Sequence, residues 1–220
     1  MTADLINAFI TLFVIVDPIG LAPLFMAVTV GLSSTQKRSI ALKAVLIAGG
    51  VLAIFAIGGQ TILATLGISL PAFRVAGGLL LLVTGFEMVF EKRTQRRENQ
   101  ADQSIAEAEP SNAQTSEIAV YPLAIPLIAG PGAITSLLLL MSKAEGDYPL
   151  QFGVIGCLVA VLLTTLAMFF LAERLSRVIP PSVISVITRL LGVLLCALAV
   201  QFIIDGIYSV ITTHPLVSRI

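Results

Sequence analysis

Asp17, Pro18 and Gly20 in one stretch, and Gly130, Pro131, Gly132, Thr135 and Ser136 in another, are the residues whose types and spacing could do chemistry in this chain. Each group interrupts a long apolar run. Pro18 withholds a backbone donor and disfavours helical geometry at Asp17, and Gly20 relaxes the chain further. A helix broken in this way exposes N–H groups at the start of its second half, where the positive end of the dipole favours an anion. Pro131 suits the first helical position, where its missing donor costs nothing, and the flanking glycines let a ligand approach the backbone. Asp17 can cap the second half of its own helix or face a cavity. A zwitterion would then find half-helix donors for its carboxylate, and Asp17 with freed carbonyls for its ammonium. Thr135 and Ser136, one turn past the second break, can line the same cavity. The plainer alternative is a pair of kinks that serve helix packing alone, since Gly and Pro are common in membrane helices.

The elements that must position these residues are membrane spans. With 57% hydrophobic residues, 12% charged residues and a mean hydropathy of +1.00, the chain is far more apolar than a soluble domain needs to be. Hydropathy predicts an all-α membrane protein with six spans: Leu5 to Leu32, Ile40 to Leu66, Leu70 to Phe90, Ile118 to Met141, Leu150 to Leu171 and Val183 to Ile211. Asp17 falls about 18 Å along the first span, near the midplane of a hydrocarbon core about 30 Å thick. The fourth span is interrupted at a similar depth.

Nine Lys and Arg residues follow the odd-numbered spans: Lys37, Arg38, Lys43, Lys92, Arg93, Arg96, Arg97, Arg174 and Arg177. Only Lys143 and Arg219 fall on the other side, so the positive-inside rule predicts both termini outside, in the periplasm of a bacterial cell. Residues 91–117 are polar and poor in large apolar side chains, and read as a disordered cytoplasmic linker. The linker divides a first three-helix repeat (1–90) from a second (118–213), followed by a tail (214–220). Phe73-Arg74-Val75-Ala76-Gly77 resembles Thr188-Arg189-Leu190-Leu191-Gly192, and Pro18 corresponds to Pro131. An odd number of spans per half turns the second copy upside down, so the halves read as inverted repeats with helices 1 and 4 broken at mid-membrane.

Four further charges lie within the spans. Arg74 and Asp205 are expected toward the outer face, Glu87 and Arg189 toward the inner one, as gates that alternate or as ion pairs that hold the fold. Cys157 and Cys196 stand in apolar surroundings without metal-ligand or redox spacing, and no phosphate-binding motif occurs. The expectation is therefore no metal, no cofactor and no catalytic residue, with the lipid bilayer and a small-molecule substrate as partners. A coupling ion, proton or sodium, is not written in the sequence, and a homo-oligomer stays open. Nucleic acid is excluded by the absence of a basic surface.

Val-Asp-Pro-Ile-Gly from Val16, Phe-Arg-Val-Ala-Gly-Gly from Phe73, Pro-Leu-Ala-Ile-Pro-Leu-Ile-Ala-Gly-Pro-Gly-Ala-Ile from Pro122 and Val-Ile-Thr-Arg-Leu-Leu-Gly from Val186 resemble the MarC family. The resemblance covers nearly the whole chain except the linker. It implies a six-span bacterial inner-membrane protein of the neutral amino acid transporter type, related to the LysE exporter superfamily. The family pattern admits Asn at the position of Asp17. The expected function is a secondary transporter for small neutral amino acids or similar polar metabolites, working by alternating access. The rivals are a membrane assembly or structural factor without transport, and a membrane redox enzyme, which would need cysteines beside the prolines.

Overall fold

The computed structural model describes residues 2–91, 119–178 and 180–213. The predicted linker and tail, apart from Glu91, lie outside them.

The first span is two helices, α1 (Thr2–Val16) and α2 (Pro18–Val28). Between them Asp17 takes left-handed backbone angles, φ 57° and ψ 62°, a conformation that Asp and Asn tolerate better than other side chains with a Cβ. The Asp17 N–H still bonds the Phe13 carbonyl at 2.9 Å, so α1 ends without an orphaned donor there. The Asp17 carboxylate then turns onto α2 and accepts the Gly20 N–H at 3.1 Å, with Pro18 filling the first helical position. Gly20 is needed for this geometry because a Cβ there would collide with the carboxylate, lying only 2.8 Å from Asp17 Cγ.

Two long helices follow. α3 (Ser34–Thr65) opens with a capping box in which Ser33 and Gln36 satisfy one another's backbone N–H groups. α4 (Leu70–Val89) is capped by Ser69. After the linker the chain re-enters as a π-helical segment, Ala119–Ile128, in which Pro122 and Pro126 have no N–H to give to an α-helical ladder. The wide turn ends where the Ala129 N–H reaches the Ala124 carbonyl at 2.9 Å. Gly130 is extended, and α5 (Pro131–Lys143) begins beyond it. α6 (Tyr148–Val178) and α7 (Pro181–Thr213) complete the chain.

The structure is all-helical among the described residues, and five stretches have the length and apolarity to cross a membrane. They are Thr2–Val28, taken across its break, Ser34–Thr65, Leu70–Val89, Tyr148–Ala172 and Ser182–Thr212. The expected fourth span is different in kind. Its prolines and the Gly130-Pro131-Gly132 break divide it into pieces of 10 and 13 residues, neither of which is long enough alone.

The broken elements occupy the middle of the molecule. Leu12, Leu21, Leu123, Ile128 and Leu137 are fully buried there, while the long helices turn Leu46, Ile57, Phe86, Phe152, Leu190 and Ile204 outward. Apolar surface on that scale is stable only in lipid or against another apolar surface. α4 and α7 run antiparallel along a glycine-lined seam, backbone against backbone. A Cβ on Gly85 would sit 3.0 Å from the Gly192 carbonyl oxygen, and one on Gly192 would sit 3.0 Å from that of Gly85.

Candidate functional site

The two breaks meet. The position a Cβ would take on Gly132, at the start of α5, is 3.5 Å from Ile15 Cγ2 in the last turn before Asp17. It is also 3.6 Å from Leu81 Cδ2 and 3.8 Å from Thr84 Oγ1 on α4. One turn further along α5, the methyl of Thr135 packs on Gly77 of α4. α1, α4 and α5 thus converge on a small region that contains Asp17, Gly132, Thr135 and Ser136.

This region is buried and polar in specific places. Asp17 is 1% exposed, and Ser136 is 0% exposed with a hydroxyl that has no hydrogen-bond partner among the described residues. The start of α5 differs from those of α2, α3 and α4, each of which is capped by a side chain. Gly130 offers none, and its carbonyl accepts the Ile134 N–H at 3.0 Å, leaving the N–H groups of Gly132 and Ala133 without a side-chain cap. Pro131 itself is exposed. A buried helix start and a buried unpartnered hydroxyl one turn apart can together receive a carboxylate or another polar acceptor.

Pro18 and Gly20 act at one remove. Pro18 terminates α1 and starts α2, and Gly20 supplies the N–H that holds the carboxylate. The Asp17 oxygen on that N–H is a cap, so the first break is a built joint as well as part of the region's wall.

The intramembrane charges lie off this centre. On α4, Arg74 stands three residues before Gly77 and Glu87 three residues after Thr84, so the helix carries a charge about one turn to either side of its contact with α5. Along the α4–α7 seam, Gly206 lies against Val75 and the Pro71 carbonyl, which sets Arg74 at the level of Asp205. Asp205 accepts a hydrogen bond from Gln201 Nε2 at 2.8 Å. At the other end Arg189 Nη2 lies 2.8 Å from Glu91 Oε1, and the Ser185 hydroxyl donates to the same carboxylate. Ser185 and then Arg189 hold the Glu91 carboxyl below the usual carboxylate range.

The sequence reading set Glu87 on one face with Arg189 and missed Glu91, which it assigned to the linker. The register explains the pairing: Gly192 packs on Gly85, Met88 and Val89, so Arg189, one turn earlier on the antiparallel helix, faces the end of α4. Thr84 was also missed, since only the fold brings it to Gly132. Gly77 and Gly78 both pack closely, but on different partners: Thr135 of α5 and Ala199 with Ile203 of α7.

A polytopic helical membrane protein with two broken helices joined at its centre is the class this geometry defines. The chain belongs to the MarC family of integral membrane proteins, whose profile matches residues 2–211. It is 35% identical over 202 residues to the UPF0056 membrane protein YhcE of Escherichia coli, covering 92% of this chain and 91% of that one. It is 30% identical over 216 residues to the UPF0056 membrane protein YvbG of Bacillus subtilis, covering 97% and 100%. An archaeal relative, a UPF0056 membrane protein of Archaeoglobus fulgidus, is 32% identical over 201 residues, covering 91% and 90%. No solved structure matches the chain.

Proposed function

We propose that this protein is a secondary transporter that moves small neutral amino acids, or similar small polar metabolites, across the bacterial inner membrane by alternating access. The observation that carries the reading is Ser136: a fully buried hydroxyl with no partner among the described residues, one turn inside a helix that no N-cap side chain closes and whose Gly132 lies beside the last turn before Asp17. Leaving a hydroxyl dry and unpaired costs about 1–3 kcal/mol, a cost that a bound polar ligand would remove. Gly132 and Ala133 would donate to the substrate carboxylate, Thr135 and Ser136 would complete the polar wall, and Asp17 would face the ammonium.

The architecture of this reading is six spans in two inverted three-helix repeats. Its support is the α4–α7 seam. Arg74 and Arg189 occupy equivalent positions, each three residues before a glycine: Arg74 lies at the level of Asp205 on the opposite helix, and Arg189 pairs with Glu91 just past the end of α4. Exchanging the two halves maps one end of the seam onto the other, as a two-fold axis in the membrane plane requires. In this frame both termini are periplasmic. The Asp4–Lys143 ion pair, 3.1 Å long, is consistent with that parity because it joins the chain start to the turn between α5 and α6.

The test is counterflow by the purified protein in liposomes with a panel of labelled neutral amino acids, with and without proton and sodium gradients. Saturable exchange of at least one solute, lost in Ser136→Ala, is the expected result. No exchange of any solute, from protein that is folded and inserted, refutes transport and favours a structural role.

A further inference from the structure

α3 and α6 form a second polar-to-apolar feature, on the outside of the molecule and away from the two breaks. Near the start of α3 a cavity of about 410 Å³ is lined by Lys37, Arg38 and Ser34, with Phe25, Phe169 and Phe170 behind them. Phe25 and Phe169 stack with ring centroids 4.5 Å apart, which gives this cavity a rigid aromatic floor. In line with it on the same α3–α6 seam lies an almost wholly apolar trough of about 470 Å³, lined by Leu46, Gly49, Gly50 and Ala53 on α3 and Val159 and Leu163 on α6.

We propose that this seam binds an anionic phospholipid, with its phosphate against Lys37 and Arg38 and an acyl chain in the trough. Three properties select this occupant. The mouth is cationic: Lys37 and Arg38 line it, and α6 carries the exposed Arg174 about one turn past Phe170. The capping box of Ser33 and Gln36 already serves the start of α3, so recognition of an anion falls to the side chains. The trough is long enough for a chain. Its α3 lining, from Val45 to Ile57, spans about 18 Å of helix, more than the roughly 15 Å depth of one leaflet. Its depth depends on small residues, and a Cβ on Gly50 would meet nothing within 4 Å. A second copy of the chain could cover apolar surface, but it would give no reason for cations at the mouth. A free anion would give no reason for the trough.

The chain contains no Trp, so Phe170→Trp creates a single fluorophore at the mouth. Its quenching by brominated phosphatidylglycerol and brominated phosphatidylcholine, measured with the full-length protein in bilayers, reports which lipid occupies the seam. A preference for phosphatidylglycerol of about five-fold per cation engaged is expected, the equivalent of about 1 kcal/mol each. Adding Lys37→Gln and Arg38→Gln should bring the two lipids to equal quenching. Adding Gly50→Leu, which fills open space without a clash, should reduce quenching by both while keeping the headgroup preference. Equal quenching by the two lipids before the cations are removed would overturn the proposal. So would displacement of phosphatidylglycerol by millimolar inorganic phosphate, which would mean a free-anion site. Loss of quenching as Gly50→Cys protomers crosslink to one another would assign the seam to self-association instead.

Discussion

Replacing Gly20 by Ala puts a methyl group where the Asp17 carboxylate sits, 2.8 Å from its Cγ and closer still to an oxygen. The carboxylate must leave the Gly20 N–H, which removes the N-cap of α2, a loss of about 1 kcal/mol. Displacing the 1% exposed carboxylate from its built geometry adds a further cost of about 1–3 kcal/mol. Gly20→Ala should therefore destabilise the protein by about 1–3 kcal/mol, once the roughly 1 kcal/mol by which Ala is the better helix former is subtracted. Asp17→Asn keeps both the cap and the tolerance for left-handed angles, so it should cost well under 1 kcal/mol. Asp17→Ala loses the cap and pays about 1–2 kcal/mol for the backbone conformation. The assay is reversible unfolding in mixed micelles, run beside exchange in liposomes. Two results would refute the reasoning: Asp17→Asn as destabilising as Asp17→Ala, or Gly20→Ala at wild-type stability. If the fold of Asp17→Asn holds while exchange falls, the charge itself serves the substrate or a coupling proton. At about 4 Å and an effective dielectric near 20, its attraction for an ammonium is on the order of 4 kcal/mol before desolvation is subtracted.

Ser136→Ala and Ser142→Ala each delete a buried hydroxyl without a partner, and neither should lower stability. Only Ser136→Ala should abolish exchange, because Ser142 lies at the far end of α5; equal effects of the two would remove Ser136 from the site. Below its usual titration range near pH 4.3, the Glu91 latch to Ser185 and Arg189 should open, because its depressed pKa confers stability that is present above that range and lost as pH falls. Melting temperature should accordingly drop less between pH 7 and pH 3 in Glu91→Gln than in the wild type, and identical drops would count against the latch. For orientation, single cysteines at the exposed positions Thr35 and Glu145 should label from opposite sides, Glu145 from the periplasm. Labelling of Thr35 from the periplasm would invert the topology.

What could be read from the sequence divides along a physical line. The break at Asp17 was legible because its cause is local: Pro18 acts on its own nitrogen and on the residue before it. The start of α5 at Pro131 was legible for the same reason. The contact of Gly132 with Ile15 and Thr84 was not, for nothing local relates residues that far apart in the chain. The π-helical form of Ala119–Ile128 was also hidden. Prolines at 122 and 126 forbid a regular ladder, but they do not specify whether the chain unwinds or widens.

The α4–α7 seam is an intermediate case, and it bears most on the site. Gly78 and Gly85 are seven residues apart, and Gly192 and Gly206 fourteen, the spacing at which a helix returns the same stripe to a near-antiparallel neighbour. That spacing is written in the sequence, but its register is not, and the register decides the chemistry. Shifting α7 by one turn would set Arg189 opposite Glu87 in place of Glu91. With the glycines interlocked as they are, backbone contact fixes which acid each arginine meets, and the charged ends of α4 are held about one turn clear of Gly132 and Thr135. Among the polar groups at the centre, Asp17 caps α2, whereas the Ser136 hydroxyl has no partner among the described residues. Under the proposed transport function, that difference makes the start of α5, rather than Asp17, the first place to test for substrate contact.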